Sequence, residues 1–298
     1  MIYNAYGLNI HSEIKLQGIP ENYNPNYADI KLVKGKVDLP QTALVTGKNF
    51  KSFEDSLYLF WDDVGIFKIE NGSKITIEIE PFADKEFIQM FIMGTVMGVL
   101  LQQRGYHIFH ASASNIKGKA VAFLGNSGFG KSTLAMSLYE MGNPVICDDY
   151  LPVIINQDNI KVKPGFPRLK LSKEVIDSKG IDPKEVIVFK NQLKSNYVKT
   201  ERGFLPTEIP FRGIYILESG KDLSIKTLKP QKALKNLLAY SYTIKSLPPT
   251  KRVNNLQDNS FIVDNIPVKL LTLPHDLTCL KDVSQTIVND VTRDTEYW

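Results

Sequence analysis

A glycine-rich segment at residues 125–133 carries the residue types that bind phosphate in this 298-residue chain. It reads Gly125-Asn126-Ser127-Gly128-Phe129-Gly130-Lys131-Ser132-Thr133, and residues 125–132 fit the pattern GxxxxGK[ST]. The glycines let the backbone turn until successive N–H groups point at one anion, and the lysine neutralises phosphate charge. The serine hydroxyl is a ligand for the Mg²⁺ that accompanies a nucleotide. The segment therefore predicts that residues 125–133 bind a nucleoside triphosphate, with Ser132 on the metal.

Two adjacent carboxylates, Asp148 and Asp149, follow an apolar strand predicted at Val145–Cys147. In open α/β sheets, ligands bind outside the carboxyl ends of the strands. One carboxylate there can hold Mg²⁺ directly or through water, and the other can accept the proton of an attacking hydroxyl. The pair therefore predicts transfer chemistry beside a bound nucleotide. Its spacing leaves open which aspartate has which role.

The elements around the glycine segment suit phosphate binding. An apolar strand at residues 120–124 leads into the segment, and a helix at residues 132–141 leaves it. Further strands are predicted at residues 108–112, 151–155, 160–162, 213–217 and 268–273, and helices at residues 173–179 and 230–241. From residue 107 onward the pattern is therefore that of an α/β fold.

The chain before this region has a different pattern. Residues 74–80 alternate between apolar and polar side chains, which is typical of a strand with one buried face. Asn71-Gly72 lies between two strand-like runs and predicts a hairpin. An apolar helix is expected from Asp84 to Arg104 and ends at Gly105. We therefore place a β-rich N-terminal domain at residues 1–83 and a catalytic domain at residues 84–298.

Composition limits the classes of partner. The formal net charge is +4, and so small a positive excess does not indicate nucleic-acid binding. The longest apolar run, residues 87–101, is shorter than the roughly twenty residues that a bilayer needs. The first residues lack a signal-peptide pattern, and Cys147 and Cys279 lie in no metal-binding spacing and are expected to be reduced and buried. We expect a cytoplasmic protein with neither membrane nor nucleic acid as a partner.

The order of these motifs is similar to that of a known family. His110-Ala111-Ser112, the glycine segment and the aspartate pair follow one another at spacings that resemble the catalytic domain of the HPr kinase/phosphorylase family. The resemblance extends more faintly to phosphoenolpyruvate carboxykinases, which share that core. It implies an α/β protein with a P-loop catalytic core that uses ATP and Mg²⁺.

The resemblance also implies roles for individual residues. His110 is placed near the phosphates, and Lys131 and Ser132 are placed on phosphate and Mg²⁺. The aspartates supply the base and a metal-side carboxylate. We favour Asp148 as the base and Asp149 on the metal side, and the reverse assignment stays open.

The chain departs from HPr kinases where their Glu-x-Arg-Gly-x-Gly signature would lie. Residues 164–171 read Pro-Gly-Phe-Pro-Arg-Leu-Lys-Leu instead, so neither phosphorolysis nor HPr as a substrate is implied. Over its whole length the chain looks more like the HPr-kinase-like proteins of ribosomal-peptide gene clusters, which include lasso peptide kinases. The shared segments are Tyr6-Gly7-Leu8, Ala28-Asp29-Ile30, Gln103-Arg104-Gly105 and residues 165–171, 210–218 and 267–273. This resemblance implies phosphorylation of a serine hydroxyl on a peptide or protein, with the C-terminal serine of a precursor peptide as the acceptor.

Basic residues after the core are candidates for closing the site. They are Arg168, Lys170, Lys199 and Arg202. Arg202-Gly203 lies in an unpatterned stretch, residues 192–207, which predicts a flexible closing loop and makes Arg202 a catalytic candidate. Three other functions stay open: an HPr-type protein serine kinase/phosphorylase, a nucleotide-gated peptide-binding module without phosphate transfer, and a small-molecule kinase. The sequence does not predict an oligomeric state.

Overall fold

The N-terminal part of the chain forms a mixed β-sheet. The computed structural model describes residues 1–21, 27–156, 159–189, 196–242, 246–274 and 279–293. The strands of the first sheet are β1 (Ile2–Ala5), β2 (Leu8–Ser12), β3 (Ile30–Lys34), β4 (Val45–Gly47), β5 (Phe50–Ser52), β6 (Ser56–Trp61), β7 (Gly65–Glu70) and β8 (Lys74–Ile79). They lie in the order β1-β2-β3-β8-β7-β6-β5-β4, with β3 parallel to both β2 and β8. The β-rich character predicted for this part is confirmed.

The hairpin of β7 and β8 shows how local sequence builds this sheet. Ile75 and Ile77 are fully buried, because their side chains share one face of the alternating strand. Asn71 and Gly72 have φ angles of 51° and 59°, in the left-handed region that Asn and Gly tolerate best. The predicted hairpin is therefore confirmed.

A long helical segment packs against this sheet. It consists of α1 (Lys85–Phe91), a π-helical turn (Ile92–Val96) and α2 (Met97–Gln103). The predicted extent is confirmed, but the helix is not uniform, because Gly94 has φ −97° and ψ −108°. Buried residues of the segment share one core with the first sheet. The domain boundary after residue 83 stays a prediction.

The second sheet and its helices follow. The remaining strands are β9 (His107–Phe109), β10 (Ala111–Ile116), β11 (Lys119–Leu124), β12 (Val145–Cys147), β13 (Leu151–Asn156), β14 (Asn159–Val162), β15 (Arg168–Leu171), β16 (Val186–Val188), β17 (Asn196–Lys199), β18 (Ile209–Ser219), β19 (Ser224–Thr227) and β20 (Val268–Leu273). The helices are α3 (Lys131–Glu140), α4 (Lys173–Lys179), α5 (Pro230–Tyr240), α6 (Pro249–Asn265) and α7 (Leu280–Arg293). The mixed α/β class predicted from the sequence is confirmed.

The second sheet runs in the order β12-β10-β11-β18-β14-β13-β9, with β20 on β18 and β19 on β20. Strand β18 is parallel to β11 and β20. Leu134 of α3 and Ile287 of α7 pack with Phe123 on one face, while Leu237 of α5 and Ile262 of α6 pack in the core on the other. Strand β11 is apolar on both sides because both faces of the sheet are covered. A small sheet, β15-β17-β16, lies beside it.

The structure differs from the sequence prediction at His110 and at one of the cysteines. The single strand predicted at residues 108–112 is wrong, because the chain breaks at His110 into β9, which pairs with β13, and β10, which pairs with β11. The backbone N–H of His110 instead donates to the carbonyl of Tyr240 at 3.1 Å. Cys147 is buried as expected, whereas Cys279 is half-buried.

Within the described ranges, the helices are too short or too polar to cross a bilayer.

Candidate functional site

Strand direction brings the glycine segment and the aspartates to one edge of the second sheet. Strands β11 and β12 are both antiparallel to β10, so their carboxyl ends lie at the same edge. Leu124 at the end of β11 pairs with Ala111, and Cys147 at the end of β12 pairs with Ala113. Residues following the two strands are therefore neighbours, although they lie far apart in the sequence.

The glycine segment forms a tight loop between β11 and α3. Gly128 and Gly130 have φ angles of +85° and +84°, which side chains with a Cβ rarely adopt. Gly130 is also the N-cap residue immediately before α3. A Cβ on Gly125 would lie 3.2 Å from the Cβ of Leu217, so this glycine permits close approach to β18. The loop therefore presents backbone N–H groups and a helix N-terminus outward, which is an arrangement that binds anions.

Lys131 lies beneath the loop rather than in solvent. Its Nζ donates to the carbonyl of Gly125 at 2.9 Å and to that of Asn126 at 3.1 Å. Burial lowers its pKa, and the charges of Asp149 and Asp148 oppose that shift. The ammonium group is thus held inside the loop and next to the aspartate pair.

Asp148 is held by three hydrogen bonds. Its Oδ1 accepts from the hydroxyls of Ser112 at 2.5 Å and Ser132 at 2.9 Å, and its Oδ2 accepts from the backbone N–H of Lys170 at 2.8 Å. Burial raises its pKa to about 6, and the charge of Asp149 adds to this shift, while the three hydrogen bonds oppose it. Both oxygens of Asp148 are therefore engaged, and one of them contacts the loop helix directly.

Asp149 is partly exposed and lies against His110. It has φ +68°, an uncommon backbone conformation that occurs at functional sites. Its Oδ1 lies 3.6 Å from Nε2 of His110, and the two side chains are 39% and 43% exposed. Burial opposes ionisation of Asp149, but the contact with His110 and the charges of Lys170 and Lys131 outweigh it and lower its pKa. The two aspartates therefore have different surroundings.

These groups fit a metal that arrives with a nucleotide. Among the described residues, no group of three or more His, Cys, Asp or Glu side chains could hold a metal ion. The oxygen donors available are two carboxylates and the Ser132 hydroxyl. Mg²⁺ keeps several waters and binds through one or two carboxylates together with substrate phosphates, so this donor set fits it.

A cavity of about 240 Å³ lies next to the aspartates. One wall is the helical segment at residues 87–95, including the π-helical turn. The other wall consists of Phe166, Arg168, Lys170 and Tyr197. Asp148 and Asp149 line the cavity, whereas no residue of the glycine loop does. The aspartate pair therefore lies between the loop and the cavity.

Arg168 is buried in the wall of this cavity, with only 6% of its surface exposed. Its guanidinium lies 4.1 Å from the ring centre of Tyr197 and 4.6 Å from that of Phe166. One of its nitrogens donates to the carbonyl of Gln17 at 3.1 Å. Burial lowers the pKa of Arg168. The sequence marked this residue only as one of several basic candidates.

Arg202 lies away from the site. Its backbone N–H donates to the Tyr139 hydroxyl at 3.2 Å, and its guanidinium donates to the Tyr139 carbonyl and lies 4.8 Å from the ring centre. Tyr139 is near the end of α3, about 12 Å along the helix from Lys131 at 1.5 Å per residue. The structure therefore does not bring Arg202 to the loop. Residues 192–195 of the predicted closing loop lie outside the described residues.

The structure brings together the other predicted residues: the loop, Lys131, Ser132, His110, Asp148 and Asp149. The sequence predicted no role for Ser112, although this residue lies two positions after His110 in a strand-like run. The cavity was missed, since its walls come from segments that share no local motif.

The fold and the site together define a class: an α/β protein with a glycine loop beside a pair of aspartates. No family model matches the chain. It is 35% identical over 60 residues to an HPr kinase/phosphorylase of Prosthecochloris aestuarii, a match that covers 20% of this chain and 18% of that protein. The chain thus aligns with less than a fifth of this relative. The match supports the predicted likeness to HPr kinase-like proteins.

A structural comparison gives the HPr(Ser) kinase/phosphatase of Coxiella burnetii, at 12% identity and a TM-score of 0.34. It covers 63% of this chain and 98% of that chain. At this TM-score the similarity supports no conclusion about the site.

Proposed function

We propose that this protein is an ATP- and Mg²⁺-dependent kinase that transfers the γ-phosphate to a serine hydroxyl of a peptide or protein. The observation that carries the proposal is the position of the aspartate pair. Asp148 is bonded to Ser132 at the start of the loop helix, and both aspartates line a cavity that the loop does not reach. A site that joins a phosphate-binding loop to a separate cavity suits a reaction with two substrates.

We take residues 125–133 to act as a P-loop, because residues 125–132 fit GxxxxGK[ST] and lie between β11 and α3. In the proposed role, backbone N–H groups of residues 125–133 hold the phosphates and Lys131 neutralises their charge. When bound, Mg·ATP supplies the phosphoryl group and the charge neutralisation that its departure requires. Ser132 and Asp148 would hold the metal, because their oxygens already meet at 2.9 Å.

The contacts favour the reverse of the aspartate roles preferred from the sequence. Asp148 has both oxygens engaged by donors, so we place it on the metal side. Asp149 is accessible from the cavity and faces His110, so we place it where it can take the proton of the incoming hydroxyl. His110 positions Asp149 and helps to keep it ionised, consistent with its lowered pKa.

We further propose that the acceptor is the C-terminal serine of a lasso-type precursor peptide. This finer statement rests on the resemblance to HPr-kinase-like proteins of ribosomal-peptide gene clusters. An HPr-type protein serine kinase/phosphorylase is the second candidate, because the sequence match is to a protein of that name. A nucleotide-gated binding module would use the loop without needing an accessible carboxylate beside the cavity.

The test follows the γ-phosphate of labelled ATP. The protein is incubated with Mg·ATP and matched peptides that carry serine at the C-terminus, serine at an internal position, or alanine in its place, and with HPr. Label in a serine peptide but not in its alanine counterpart supports the proposal. Label in HPr alone favours the second candidate. Label that appears only as inorganic phosphate, or nucleotide binding without any release, contradicts a peptide kinase.

A further inference from the structure

Arg168 is a buried cation, and no carboxylate of the described residues forms an ion pair with it. None of the ion pairs among the described residues includes Arg168. Among the described residues, the one hydrogen-bond partner of its side chain is the neutral carbonyl of Gln17, and aromatic rings cover its faces. A buried charge is costly unless it is paired. Stacking on rings fixes a guanidinium in one plane but leaves its remaining N–H groups free to bind an anion.

The aspartates of the same cavity do not fill this role. Asp148 accepts from Ser112, Ser132 and the Lys170 backbone, and Asp149 faces His110. Their charges act on Arg168 only at longer range than an ion pair. Lys170 also lines the cavity, and its positive charge acts on Asp149.

Most of the remaining cavity lining is apolar. Phe87, Phe91 and Met93 line it from the helical segment, and Phe166 and Tyr197 line it from the opposite wall. Gly94 leaves room in the π-helical turn, where a Cβ would lie 3.4 Å from the Tyr150 hydroxyl. Turns of this type often mark functional sites. At about 240 Å³ the cavity accepts the end of a chain or a single side chain, but not the surface of a folded domain.

We propose that Arg168 anchors the acceptor through a carboxylate, while an apolar side chain next to that carboxylate fills the aromatic cavity. The inference rests on the proposed function, because it takes the cavity to be the acceptor site of the kinase. The carboxylate can come from two sources: the C-terminus of the peptide or an acidic side chain close to the serine. Either source places a hydroxyl near Asp149, which lines the same cavity.

Matched peptides separate the two sources. The first ends in Phe-Ser with a free carboxylate, the second is its amide, and the third is an amide with Asp after the serine. We expect the parent protein to favour a carboxylate peptide over the plain amide by about ten- to hundredfold in kcat/KM, mostly through KM. A preference for the first peptide identifies the C-terminus, and a preference for the third identifies an acidic side chain. Equal rates for all three overturn the inference and leave the kinase intact.

Substitutions of Arg168 test whether this residue causes the preference for a carboxylate peptide over its amide. Arg168→Met keeps a long apolar stem and should bring the carboxylate-to-amide ratio close to one, whereas Arg168→Lys should keep part of it. Arg212→Met, at an exposed position on β18, is the matched control and should leave the ratio unchanged. A ratio that survives in Arg168→Met contradicts the assignment. If this variant fails to fold, the binding experiment on the parent protein decides.

Binding without catalysis separates this inference from the proposed function. The probe is N-acetyl-Phe-Ala as its free acid or amide, titrated into the parent protein by calorimetry without nucleotide. Binding of the acid but not of the amide supports the anchor even if no phosphate transfer is ever seen. Equal affinity of the two probes, or no binding of either at concentrations where the peptides are phosphorylated, overturns it.

Discussion

The glycine loop and the aromatic cavity are built in different ways on the two sides of the aspartate pair. The loop is one continuous run whose active groups are backbone N–H groups, one lysine and one serine, and residues 126–129 are exposed. The cavity is assembled from the helical segment, the turn after β12, strand β15 and strand β17. Its groups are side chains, and its one buried cation is held by aromatic rings.

The two constructions suit the recognition of different ligands. Phosphate groups are alike in every nucleotide, so a loop of backbone donors at a helix N-terminus is sufficient to hold them. An acceptor must be told apart from similar molecules, which needs shape and a few placed polar groups. Under our proposal, Asp148 serves the loop side and Asp149 serves the cavity side, and the following experiments test this division.

Removing the lysine of the loop should give the largest effect. We expect Lys131→Met to lower phosphate transfer by about a hundred- to thousandfold, because no other cation of the loop replaces its charge. Binding of N-acetyl-Phe-Ala should be unchanged, since Lys131 does not line the cavity. Single-turnover transfer and calorimetry measure the two effects. Lys235→Met, exposed on α5, is the control. Loss of peptide binding in Lys131→Met would contradict the claim that the loop and the cavity bind their ligands separately.

Replacing each aspartate separately tests which of the two is the base and which lies on the metal side. At saturating Mg²⁺, Asp149→Asn should lower the transfer rate by about a hundredfold or more, because the hydroxyl loses its proton acceptor. Asp148→Asn should instead raise the Mg²⁺ concentration needed for half-maximal rate, because it lies beside Ser132. Rates measured over a Mg²⁺ titration distinguish the two. The opposite pattern would restore Asp148 as the base.

The buried carboxyl also predicts a pH dependence of stability. The pKa of Asp148 is raised by burial to about 6, so the native state binds its proton more tightly than the unfolded chain. The corresponding stabilisation is fully present below about pH 4 and is lost as the pH rises through 6. Asn stays neutral, and the serine hydroxyls can accept from its amide. Without Mg²⁺, the stability of Asp148→Asn relative to the parent should therefore rise between pH 4 and 7, by roughly 2 kcal/mol.

Thermal unfolding at both pH values measures this difference. Asp222→Asn, at an exposed position, should show none. A constant difference between Asp148→Asn and the parent across this range would mean that Asp148 is ionised throughout.

The smallest effect is expected at Arg202. Because its guanidinium is bound at the far end of α3, Arg202→Ala should stay within about threefold of the parent transfer rate. Initial rates at saturating substrates measure this. A loss comparable to that of Lys131→Met would show that the residue reaches the phosphates during turnover, as the sequence suggested.

These contrasts also explain what the sequence could predict. The loop was predictable because its residues are consecutive and lie between a strand and a helix, and the aspartates were predictable because they end an apolar strand. The break between β9 and β10 at His110 was not predictable, because it depends on the pairing of these two strands with different partners. Short strands such as β4 and β5, and the polar helix α6, lack the periodicity that predicts an element.

The cavity shows the same limit more clearly. Residues 87–95 and Tyr197 lie far apart in the sequence, and only the packing of the helical segment against the small sheet makes them neighbours. The basic character of residues 168–170 was visible, but the burial of Arg168 among aromatic rings was not. Contacts of this kind depend on tertiary structure and leave no local pattern.

The most direct test of a two-sided site is whether both ligands bind at once. The probe N-acetyl-Phe-Ala is titrated into the parent protein with and without saturating Mg²⁺ and the non-hydrolysable analogue AMP-PNP. If the loop holds the nucleotide and the cavity holds the acceptor, the probe binds in both titrations and a ternary complex forms. If the nucleotide displaces the probe, so that the apparent Kd rises in proportion to the nucleotide concentration, the two share one site and the account is contradicted.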